Sequence, residues 1–93
     1  MAVKTSPRPS DGPLSAKGPS LKLAVSTTNG AFLVATVKTP SGNCIRIEQT
    51  TLSAGTTKLT LFLPPGGVPS GSTLNLSFDE HPGSYSSSKF TLK

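Results

Sequence analysis

Residues 58–79, KLTLFLPPGGVPSGSTLNLSFD, constrain the fold more than any other stretch of the chain. Leu59, Leu61 and Leu63 alternate with Lys58, Thr60 and Phe62, and Leu74, Leu76 and Phe78 alternate with Thr73, Asn75 and Ser77. Successive side chains on a strand point to opposite faces, so an apolar residue at every second position makes one buried face and one solvated face. Pro64, Pro65 and Pro69 lie between the two runs. Proline has no N–H to give to a ladder, so this interval separates two strands. Each strand needs a second apolar layer, which the remaining residues must supply.

The first nineteen residues contain Pro7, Pro9, Pro13 and Pro19, with Ser and Gly between them and no apolar run. That composition favours extended and turn conformations over a packed element. It predicts an extended N-terminal arm over residues 1–19, ordered along a neighbouring subunit, and one domain over residues 20–93.

Residues 21–25, LKLAV, and 31–38, AFLVATVK, flank Thr28-Asn29-Gly30, and Asn-Gly is a tight-hairpin signal. A two-residue loop would pair Val25 with Val34 and Leu21 with Lys38, putting a lysine on the core face. A three-residue loop pairs Val25 with Leu33, Leu23 with Ala35 and Leu21 with Val37, all apolar. A slip of one residue exchanges the faces of a strand, so the three-residue loop is expected, with Gly30 at positive φ. It leaves Phe32 and Val34 facing outward.

Thr39-Pro40-Ser41-Gly42-Asn43 predicts a turn. Beyond it, Ile45 and Ile47 are expected inward and Cys44, Arg46 and Glu48 outward. Residues 49–53 suit a short strand or a crossover, and Ala54-Gly55 turns the chain into the Lys58 strand. Glu80-His81-Pro82-Gly83 predicts the last turn, and residues 85–92 close the domain with Phe90 and Leu92 inward. Helical periodicity is absent. Six or seven short antiparallel strands between turns predict an all-β fold, an immunoglobulin-like or fibronectin-like β-sandwich. Its expected core is Leu21, Leu23, Val25, Leu33, Val37, Ile45, Ile47, Leu59, Leu61, Leu63, Leu74, Leu76, Phe78, Phe90 and Leu92.

The run VPSGSTLNLSFDEHPGSYSSSKFTL, residues 68–92, resembles the last two strands of Ser/Thr-rich immunoglobulin-like cell-wall modules. Those modules read as a proline, a glycine, an alternating strand, a short turn and a Tyr-Ser-x-x-Phe closing strand. The likeness covers about a quarter of the chain and implies the sandwich fold.

Residue chemistry argues against catalysis. Asp79, Glu80 and His81 are the clustered acid and imidazole groups, and they read as a polar turn because adjacent strand residues diverge. A second histidine and a distant carboxylate cluster are both missing, so neither a metal site nor an acid–base pair is completed. Cys44 is the single cysteine, so no intramolecular disulfide forms, and it reads as a half-buried thiol. No G-x-S-x-G occurs. Asn75-Leu76-Ser77 is a formal glycosylation sequon and places Asn75 at solvent. No cofactor and no metal are expected.

Nine Lys and Arg against four Asp and Glu leave a net charge of +5, which gives weak, salt-sensitive attraction to polyanions. The cations are scattered along the chain without a basic block or an RNA-binding aromatic motif, so nucleic acid is not an expected partner. No stretch approaches the ~20 apolar residues of a membrane span. The beginning of the chain shows no secretory apolar run, which suggests either a fragment or mature chain, or a route to the outside by assembly and release rather than secretion.

These features predict a non-enzymatic structural protein, a decoration or tail accessory protein of a virus or phage particle, located in the virion and multimeric through its host particle. Other protein subunits would be the partners. Phe32, Val34 and Phe62 are expected together on one outer face, if their strands are neighbours in one sheet, and with Pro7, Arg8 and Pro9 of the arm they are the expected partner-binding residues. The alternative is an extracellular cell-surface or carbohydrate-binding module of a larger secreted protein, with Tyr85 as its available aromatic platform.

Overall fold

The computed structural model describes residues 3–6, 8, 11–80 and 84–93. Seven strands run in chain order: β1 (Val3–Ser6), β2 (Ser20–Thr27), β3 (Ala31–Lys38), β4 (Cys44–Leu52), β5 (Gly55–Phe62), β6 (Thr73–Glu80) and β7 (Ser84–Thr91). They form two antiparallel sheets, one ordered β1-β2-β5 and the other β4-β3-β6-β7. No helix occurs in a named element, and the fold is β-sandwich-like: inward residues of both sheets make one apolar cluster.

The alternation in the sequence sets which residues enter that cluster. Leu21, Leu23 and Val25 from β2 and Leu61 from β5 are buried against Leu33, Ala35 and Val37 from β3 and Leu74, Leu76 and Phe78 from β6. Phe90 and Leu92 close it, as expected. Ile45, Ile47 and Leu59 are only half-buried, so three of the expected core residues sit at its margin. Val3, Ala16, Ala31, Leu52 and Val68 are buried members that the alternation did not indicate.

The expected hairpin between β2 and β3 does not form. β2 pairs with β1 and β5, and β3 pairs with β4 and β6, so Thr28-Asn29-Gly30 carries the chain from one sheet to the other. The inward faces of β2 and β3 were nonetheless read correctly, because both line the same core whether the strands pair or oppose. Gly30 does lie at positive φ, +83°, and a Cβ there would stand 2.8 Å from the Leu52 carbonyl oxygen. The buried Thr27 side chain organises this crossing: Gly30 N–H donates to Thr27 Oγ1 over 3.1 Å, and Thr27 Oγ1 donates to the Ser53 carbonyl over 3.2 Å. One hydroxyl therefore ties the β2–β3 crossing to the β4–β5 crossing.

In β4 the register against β3 shifts between Ala35 and Thr36: Ala35 faces Glu48, and Thr36 faces Arg46. Ile47 is the extra residue of this bulge, which moves the alternation by one. Glu48, expected outward, is half-buried opposite Ala35, and Leu52 becomes the buried residue at the strand end. Glu80 is likewise not in a turn. It ends β6 opposite Ala31 and is buried. His81, Pro82 and Gly83 lie outside the described residues.

Nor do the described residues before Ser20 have nothing to bury. β1 pairs with β2 in the register Val3↔Thr27 to Ser6↔Ala24. Leu14 then bridges Leu92 in parallel, with Leu14 N–H bonded to the Thr91 carbonyl at 2.9 Å and Lys93 N–H to the Leu14 carbonyl at 2.8 Å. Ala16 sits where the 64–72 crossing turns: its carbonyl accepts from Val68 N–H at 2.8 Å, and a Cβ on Gly67 would meet that same oxygen at 2.5 Å. Glycine is required at 67 by this close approach and by a φ of +78°. Pro7 and Pro9 lie outside the described residues.

Two measurements check this packing. Leu61 is fully buried and faces Leu21 across β2–β5, so Leu61→Ala should lose about 2–5 kcal/mol in denaturant melts, through lost transfer energy and an unfilled cavity. Thr27→Val keeps the shape but removes both hydrogen bonds of the clasp. It should lose about 1–3 kcal/mol, since Gly30 N–H is left without its partner, and unchanged stability would show that the crossings hold without it.

Candidate functional site

The two outer faces follow from the registers. On the four-stranded sheet, Phe32 of β3 stands between Thr51 of β4 and Asp79 of β6, and Asp79 faces Tyr85 of β7. Phe32 and Tyr85 therefore occupy one cross-strand row, two strand spacings or about 10 Å apart. Tyr85 is 71% exposed and Phe32 38%. The next row holds Gln49, Val34, Ser77 and Ser87, with Val34 half-buried beneath its neighbours. This end of the face is aromatic and weakly polar.

The other end is cationic. Arg46, Thr36, Asn75 and Lys89 form one row and Cys44, Lys38, Thr73 and Thr91 the next. Thr36, Lys38, Cys44, Thr73, Asn75 and Lys89 line an open groove there. Cys44 is exposed, contrary to the half-buried thiol expected. The half-buried Asn75 donates from Nδ2 to Ser77 Oγ at 3.1 Å, and Arg46 donates to Gln49 Oε1 at 3.0 Å.

Phe62 is elsewhere. It belongs to β5 in the three-stranded sheet, beside Ser20 of β2, and is 68% exposed. The expectation that Phe32, Val34 and Phe62 share a face fails because β3 and β5 are in different sheets, whose outer faces point in opposite directions. Phe32 and Val34 are brought together; Phe62 is not. In their patch its place is taken by Tyr85, which sequence reasoning had set aside as a lone platform. Pairing residues 73–80 with 84–91 across the short turn would have put Tyr85 opposite Asp79. Arg8 is exposed, its backbone N–H bonded to Asp11 Oδ2 at 2.8 Å and its guanidinium 3.5 Å from Asp11 Oδ1.

Among the described residues no group of three or more His, Cys, Asp and Glu could hold a metal ion. Asp79 and Glu80 point to opposite faces, one exposed and one buried, as neighbours on a strand must. Ser72 Oγ is committed to the Pro69 carbonyl at 2.7 Å. No protein family matches the chain, and no curated protein matches its sequence.

Proposed function

We propose that this protein is a non-enzymatic interaction module, an accessory subunit that docks on a protein assembly such as a virus or phage particle through the outer face of its four-stranded sheet. The observation that carries the reading is the row Phe32–Asp79–Tyr85 with Val34 beside it: two exposed rings and an aliphatic group on one face of a small domain. Aromatic side chains of this kind dominate interface energies, and apolar groups gathered on a surface mark contact sites. We read the sandwich as immunoglobulin-like in its fibronectin-like form, since β4 adds to the β3 edge rather than to the β5 edge.

A second reading rests on Tyr85 alone. Its exposed ring faces Asp79 across the strands, a flat apolar surface beside an acceptor, which suits a sugar on a cell-surface module. Glycan binding that is abolished by Tyr85→Ala but indifferent to Phe32→Ala would favour it over a protein partner.

The docking reading is tested by co-sedimentation with a candidate particle. A single aromatic anchor contributes about 2 kcal/mol or more, so Phe32→Ser combined with Tyr85→Ser should weaken binding at least about thirtyfold. Phe62→Ser, on the opposite face, should leave occupancy as it was. Equal occupancy for the parent and the double variant would remove this face as the docking site.

A further inference from the structure

The outer face of the three-stranded sheet has no part in the docking reading and carries a charge pattern that the linear sequence conceals. Lys4, Lys22 and Lys58 all project from it, and all three are exposed. The registers set them in successive rows: Lys4–Ser26–Thr56, then Ser6–Ala24–Lys58, then Lys22–Thr60, then Ser20–Phe62. A bond of 2.7 Å between Ser26 Oγ and Thr56 Oγ1 confirms that the first of these rows lies on one face. Lys22 is the diagonal neighbour of both Lys58 and Phe62, about 7–8 Å from each at the Cα level. Small residues form the floor, and Lys22, Ala24, Lys58 and Thr60 line an open depression of ≈ 370 Å³.

Nothing on this face balances the charge. Of the four carboxylate side chains, Glu48, Asp79 and Glu80 belong to strands of the other sheet, and Asp11 is held by Arg8. Cations as near as Lys22 and Lys58 repel one another, so the arrangement weakens the free protein slightly and is relieved by an anionic partner. Spacing from one row to the next is about 7 Å, two residues of strand rise.

We propose that this face binds single-stranded nucleic acid, with phosphates running past Lys4, Lys58 and Lys22 and an unpaired base stacked on Phe62. The lysines alone would serve any polyanion. The exposed ring at the end of the same stripe selects the nucleic acid, because a base offers it a π-face whereas a sulfated polysaccharide or an acidic peptide does not. A duplex hides its bases, and this flat face presents no helix or ribbon to enter a groove. Lysine point charges with one ring predict binding with little sequence preference.

Fluorescence anisotropy with a labelled oligo(dT) of about 15 nucleotides tests this, with heparin and poly-glutamate as competitors. The slope of log K against log salt should be about −2, three cations at about 0.7 each. Lys22→Glu and Lys58→Glu should each weaken binding about tenfold or more, while Phe62→Ala should weaken it roughly fivefold to a hundredfold and leave the slope unchanged. Lys89→Glu makes the same change of net charge on the other sheet and should cost less than about threefold. Thermal melts confirm folding, with Lys58→Gln replacing any acidic variant that melts early. Equal losses from Lys89→Glu and Lys58→Glu would reduce the effect to net charge and overturn the proposal. An unaltered affinity in Phe62→Ala, or heparin or poly-glutamate binding as tightly as the oligonucleotide, would overturn it too. None of these outcomes bears on particle docking, which the opposite face governs.

Discussion

The architecture depends on the chain changing sheets between Thr27 and Ala31 rather than folding back beside itself. A hairpin there would have put β2 and β3 in one layer, leaving β5 and β6 to find other partners. Instead Thr27 Oγ1 receives Gly30 N–H and donates to the Ser53 carbonyl, so the two crossings are fastened to one buried hydroxyl. Gly30 admits this because its missing Cβ leaves room for the Leu52 carbonyl. With both crossings fixed, β2 faces β3 through the core, and the apolar sides of both sheets are satisfied by each other.

Much of this was legible in the amino-acid pattern, but only as faces. Leu33, Leu61, Leu74 and Phe78 were assigned inward by period two, and each is fully buried. Period two is indifferent to which strand lies alongside, which is why the register argued for β2 and β3 was internally consistent and still described strands that do not pair. The bulge at Ile47 was hidden for a related reason: an inserted residue breaks the alternation without leaving a turn residue to announce it. The N-terminal segment was misjudged on composition, since Val3 and Ala16 are isolated apolar residues whose burial depends on surfaces distant in sequence.

The same limit governed the outward-facing residues. Phe32, Val34 and Phe62 were correctly read as outward-facing, and the error lay in assuming that outward meant the same side. The two sheets divide the surface chemistry. One outer face carries Phe32 and Tyr85 at one end, with Asp79 between them, and Lys38, Arg46 and Lys89 towards the other. The other carries lysine without carboxylate. Lys4, Lys22 and Lys58 are separated by tens of residues, and only the antiparallel pairing of β1, β2 and β5 assembles them.

The parallel contact of residues 14–16 with 91–93 has a mechanical consequence. If the two ends of the chain are drawn apart, the segment at Leu14 is dragged backward along its own direction while the segment at Leu92 is dragged forward. The bonds Leu14–Thr91, Lys93–Leu14 and Ala16–Lys93 are then stretched sideways and all at once, rather than unzipped singly from one end. Tension passed on through β1 therefore meets a shear joint between Leu14 and Leu92, which resists a pull that would peel an ordinary edge strand away.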